Sequence, residues 1–227
     1  RRSRSLPTRS RGIDPLVAVG GASRKSGVMD FFPDDDSVDD QDPFDHTEER
    51  TPSFEPPRNE LPALFAASEV IGRGDDVVVA LTGVRVYSDG VELLIDRHLR
   101  RGGRDPREWQ LAQMDFSGHW GPAMNGSDRL RWGLVLGDGT RLFADGRFGM
   151  PGAETAEGHT VRVTGGGGTG GGESSTMHDG LWLWPLPPEG PLELVLQWPA
   201  FGIGESRVIV DGGQLRALAA SVKPLWG

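Results

Sequence analysis

From Val77 onward the chain is written as short runs of alternating apolar residues divided by Gly and Asp, and few folds suit such a pattern. Leu192, Leu194, Leu196 and Trp198 recur at every second position, opposed by Glu193, Val195 and Gln197. A strand with that alternation buries one face and shows the other to water. Val77-Val78-Val79-Ala80-Leu81 is a β-branched run that continues through Val84 and Val86. Ser88-Asp89-Gly90 then predicts a tight turn, because Asp-Gly accepts the positive φ of a hairpin. The return strand sets Val91, Leu93, Ile95 and Leu99 against Glu92, Asp96 and His98. A second hairpin follows: Leu130, Trp132, Leu134 and Leu136 share a face, Gly137-Asp138-Gly139-Thr140 turns the chain, and Arg141-Leu142-Phe143 returns.

Further strands read as Thr160–Val163, Leu181–Trp184 and Val208–Val210, and Leu215, Leu218 and Val222 form the stripe of a short C-terminal helix. Leu61 to Val70 reads either as one or two helical turns or as a first edge strand, since Pro62 is tolerated at an edge. Arg100 to Asp128, with Trp109, Phe116 and Trp120, reads as a long irregular connection. Gly165 to Gly172 reads as a flexible hairpin tip. No strand–helix–strand alternation appears. The expected fold is all-β: an antiparallel, immunoglobulin-like β-sandwich without the Cys pair of antibody domains.

Charge divides the chain. Residues 1–28 carry a net charge of +6, residues 29–60 a net of −10, and residues 61–227 a net of −5. Residues 1–60 have no sustained period and too few apolar side chains to offset the entropy of ordering, so they read as a disordered tail ahead of a single domain over 61–227. Composition flips at Met29-Asp30-Phe31-Phe32-Pro33, which resembles a natural start; residues 1–28 then read as upstream sequence. A basic arm for nucleic acid is the competing reading. The acidic stretch that follows is interleaved with Phe31, Phe32, Phe44 and Phe54, the composition of a docking peptide that orders on binding or of a solubilising tail.

Several function classes drop out. The chain has no Cys, which removes disulfide scaffolds, zinc knuckles and thiol catalysis. No apolar run is long enough for a membrane span or a secretory signal, and cytoplasm is the expected compartment. The net negative domain offers no broad basic surface to nucleic acid. Gly165–Gly172 is followed by Glu173 and two serines rather than the Lys-Ser/Thr that a phosphate cradle needs. His46, His98, His119, His159 and His178 show no ligand spacing, and no Gly-x-Ser-x-Gly elbow is present. No cofactor or metal is expected. A Ser-His-Asp arrangement through His178 and Asp179 would have to assemble in three dimensions.

The pattern Leu183-Trp184-Pro185-Leu186-Pro187-Pro188, with Gly190-Pro191-Leu192, Trp198-Pro199, Gly202-Ile203 and Glu205-Ser206 behind it, is similar to uncharacterised actinobacterial proteins. These share the Leu81-Thr82-Gly83-Val84 core of the opening strand and a Gly-rich loop. The resemblance spans about residues 60–226. It implies a β-rich domain with an acidic lead-in and no activity that can be named.

Tryptophan carries the recognition signal. Trp182 and Trp184 lie two apart on one strand, so they face one side; if Leu181 and Leu183 point inward, the indoles lie outside as a docking surface. The expected function is a non-catalytic protein-interaction module that binds a protein partner through Trp182, Trp184 and the tail residues Phe31 and Phe32. The alternative is a hydrolase-type enzyme with its site in the 100–128 connection, around Asp115 and His119.

Overall fold

Alternation on nearly every strand resolves into two antiparallel sheets packed face to face. The computed structural model describes residues 50–118, 126–144 and 158–226. In chain order the strands are β1 (Glu60–Leu61), β2 (Ala63–Phe65), β3 (Glu69–Arg73), β4 (Val77–Val86), β5 (Val91–Arg100), β6 (Arg131–Val135), β7 (Arg141–Ala144), β8 (Thr160–Gly170), β9 (Ser174–Trp184), β10 (Pro191–Trp198), β11 (Ile203–Asp211) and β12 (Lys223–Pro224). Helix α1 (Pro106–Ser117) follows β5, and α2 (Gly212–Ala219) follows β11.

One main sheet runs β2-β4-β5-β9-β8, with β3 also on β4; the other runs β11-β10-β6-β7, and β1 and β12 form a separate two-stranded pair. Each sheet joins two hairpins through their inner strands, and the chain visits the sheets alternately. The order β4-β5-β9-β8 against β11-β10-β6-β7 corresponds to the A-B-E-D and G-F-C-C′ orders of an immunoglobulin-type Greek key. The β2 and β3 edge pieces and helix α1 are additions to that plan. Of the two readings of Leu61–Val70, the edge-strand reading is the one realised.

The inner faces are those that the alternation marks. Leu93, Ile95, Leu181 and Leu183 from the first sheet meet Trp132, Leu134, Leu142, Leu194 and Trp198 from the second in one buried cluster. At Gly137–Thr140 the turn closes with Leu136 N–H donating to Thr140 O at 2.8 Å, and Gly139 takes a φ of 88°. The Asp89-Gly90 turn departs from expectation. Gly90 is not in the positive-φ region. Its missing side chain makes room instead: a Cβ there would lie 2.6 Å from Cζ2 of Trp182.

Two expectations are corrected. Gly165–Gly170 is not a loose tip but strand, paired to β9 through Gly170. Glycine permits this because Gly165 and Gly166 take φ of 72° and 140° in a bulge between Thr164 and Gly167, a bend that a side chain would resist. The 100–128 connection contains α1. Asp105 caps it in a reciprocal box with Glu108, Pro106 opens it, and Gly118 ends it in the left-handed conformation. Ahead of β1, residues 50–59 are described as well, and they lie against the larger sheet.

Helix α1 seats Phe116 against Trp198, with ring centroids 5.8 Å apart, over a charge buried between the sheets. Arg97 on β5 and Asp179 on β9 both point inward and are each at least nine-tenths buried. Arg97 binds Asp179 through Nε and through Nη2, the latter at 3.0 Å, and Nη1 donates to Phe116 O near the helix C-terminus. The guanidinium also sits 5.2 Å from the Phe116 ring centre and 5.3 Å from that of Trp198. We predict that Arg97→Met alone or Asp179→Leu alone costs about 3–5 kcal/mol, because each leaves a buried charge unpaired. The double replacement should cost far less than their sum. Urea unfolding of the three variants checks this; additive losses would show that the two residues act independently.

Candidate functional site

The first candidate is the outer face of the larger sheet, where the alternation places Trp182 and Trp184. Leu181 and Leu183 do point inward and are fully buried. Trp182 therefore lies on the outer face, yet it is 0% exposed. Its cover is the segment that precedes β1. The indole Nε1 donates to Pro52 O at 2.9 Å, and Tyr87 packs edge-on at 5.6 Å between ring centroids. Beside it Arg162 stacks 3.6 Å from the ring centre of Phe54. Arg50 pins the segment by an ion pair to Asp89 at 2.9 Å and by donating from Nε to Glu55 O. Burial lowers the pKa of the Arg162 guanidinium, and burial, followed by the nearby Glu92 charge, raises that of Tyr87.

Trp182 is thus removed from any exposed surface. Trp184 is partly buried and lines an open apolar cleft of about 520 Å³ with Pro52, Pro185, Leu186, Pro188 and Arg216. The structure brings these two tryptophans onto one sheet face but gives them different surroundings. Phe31 and Phe32 lie outside the described residues. His178 and Asp179 do not assemble a triad: His178 faces outward, 2.8 Å from Asp96, while Asp179 faces inward to Arg97. Asp115 sits on α1, and its suggested partner His119 lies outside the described residues. Among the described residues no group of three or more His, Asp or Glu is placed to hold a metal ion. Nor is any helix among them long and apolar enough to cross a membrane.

The second candidate is the outer face of β11-β10-β6-β7, which the sequence reading passed over. Phe143 and Ile209 are each 61% exposed there. Between β7 and β10 lies a groove of about 440 Å³ whose floor is Gly133, Val135 and Val195. Phe143 walls it on one side, and Arg129, Arg131, Arg141 and Arg207 rim it together with Glu205. Gly133 leaves the floor open although nothing forbids a side chain. A Cβ there would meet its nearest neighbour, Val195 Cβ, at an ordinary 3.5 Å, and its φ is not positive. Arg207 is held by Glu205 and Glu193, whose hydrogen bonds raise its pKa, Glu205 first. The side chains of Arg131 and Arg141 make no hydrogen bond or ion pair among the described residues, and Nε of Arg131 is buried without a partner. The available signal was the apolar, exposed parity of Phe143 and Ile209, on the side of their strands opposite Leu142 and Val210.

No family model, curated protein or solved structure matches this chain. Function must therefore be read from these surfaces. The two candidates respond oppositely to truncation and filling. Trp182→Ala should destabilise the domain by about 3–5 kcal/mol, as large-to-small aromatic changes in a core do. Gly133→Val should leave the thermal midpoint unchanged or raise it, because a β-branched residue suits a strand and the position has room. Calorimetry of both variants checks the pair of outcomes; a marked loss with Gly133→Val would mean the groove is not open.

Proposed function

We propose that this domain is a non-catalytic protein-interaction module that engages its partner through the outer face of β11-β10-β6-β7. The observation that supports it is exposed Phe143, set on a groove rimmed by arginines, with Ile209 exposed on the far edge strand of the same face. Large apolar side chains on a sheet face are normally covered, and aromatic and Arg side chains together are the composition of interface cores. The larger sheet covers its own outer aromatic with residues 50–55; this face has no such cover among the described residues. The acidic stretch bearing Phe31 and Phe32 fits the same reading as a separate docking element. Kinship with the actinobacterial proteins of similar C-terminal pattern remains part of the proposal and adds no activity to it. A net charge of −5 over residues 61–227 weighs against nucleic acid as the partner.

The photocrosslinker benzoylphenylalanine, placed in the full chain at position 143 and separately at exposed position 82 on the other sheet, tests this reading. Irradiation in lysate of the native host should give a discrete adduct from position 143 and none from position 82. Equal labelling from both positions, or none from 143, would remove the face as a docking surface.

A further inference from the structure

We infer that the groove on β11-β10-β6-β7 takes an extended acidic peptide of a partner protein, with two carboxylates four residues apart and one apolar side chain midway. This rests on the proposal that this face is the docking surface. Pairing registers lay the outward side chains in rows across the sheet. One row is Arg141, Val135, Glu193 and Ile209. The next is Phe143, Gly133, Val195 and Arg207. The last begins with Arg131 opposite Gln197.

Arg141 and Arg131, which have no carboxylate partner among the described residues, stand at opposite ends of the groove. Arg141 pairs with Val135, four positions along β6 from Arg131. At about 3.3–3.4 Å per residue, that is roughly 13 Å. An extended peptide has the same rise, so its residues i and i+4 reach both guanidinium groups. Residue i+2 falls on the same side of such a peptide and meets the middle row, where Gly133 leaves space between Phe143 and Val195. Guanidinium groups suit this role because they grip carboxylates with two parallel hydrogen bonds.

The test is fluorescence anisotropy on the full chain at low salt, with a labelled synthetic peptide Gly-Glu-Ser-Phe-Ser-Glu-Gly. Saturable binding is expected. It should weaken roughly tenfold or more when either Glu of the peptide becomes Gln, or when the chain carries Arg131→Gln or Arg141→Gln, since each change removes a charge-assisted contact. Gly133→Val should abolish binding while the thermal midpoint holds, which separates a filled groove from a damaged fold. Moving the two Glu residues to adjacent positions should weaken binding as much as removing one. Equal affinity for the Gln peptide, indifference to Gly133→Val, or binding of a single-stranded oligonucleotide in place of the peptide would each overturn the inference. A position-143 adduct together with no peptide binding would sink the acidic peptide and leave the docking face standing. Absence of both would sink the docking face as well.

Discussion

The buried pair Arg97–Asp179 is the constraint around which the rest of this sandwich is organised. Two charges taken out of water are tolerated only where geometry and further hydrogen bonds compensate them. Here compensation draws on every layer at once. Asp179 on β9 binds two nitrogens of Arg97 on β5, α1 supplies the carbonyl of Phe116, and Trp198 of the opposite sheet lies beside the guanidinium. The negative end of the helix dipole falls where a cation is held. That geometry explains the helix in the β5–β6 connection: without it, Nη1 of Arg97 would face the core with no acceptor. It also fixes register, because sliding β9 against β5 by two residues would separate the charges inside an apolar interior.

The strands were legible in the sequence because period two is a local property. Val91 to Leu99 and Leu192 to Trp198 name their own inner faces, and the faces are as read. Arg97 continues the inward series of β5, yet alternation by itself reads a charged residue as outward. Its inward place depends on Asp179, 82 residues away. Helix α1 did carry a local signature, the Asp105-Pro106-Arg107-Glu108 box, but its apolar stripe is thin, with only Trp109 and Phe116 buried. The glycine run from 165 hid a strand for a similar reason. Its pairing is dictated by β9, and glycine advertises no preference.

Trp182 shows how far alternation carries. It assigned the side chain to the correct face and could not assign its exposure. The covering atoms belong to Pro52, 130 positions earlier in the chain. Low apolar content made that segment read as unable to fold, yet it contributes no core of its own. It borrows one, laying Phe54 on Arg162 and a prolyl carbonyl on an indole N–H. Entropy of ordering is offset there by contacts that exist only because the sheet is already formed.

The two outer faces of the sandwich thus meet the same problem in different ways. On the larger sheet the bulky aromatic is roofed, and Gly90 is a glycine because the indole needs its space. On the smaller sheet Phe143 is left 61% exposed, and Gly133 is a glycine although a Cβ there would make only ordinary contacts. A strand glycine with no steric reason forfeits β propensity and enlarges the entropy of the unfolded chain. Beside it, Arg131 and Arg141 make no compensating ion pair among the described residues. Stability alone would favour a side chain at 133 and a smaller, polar one at 143. Residues that work against stability without relieving a clash tend to mark a surface shaped for something else, since function is where local rules are relaxed. On this domain they converge on one groove, and its open floor is what a visiting side chain requires.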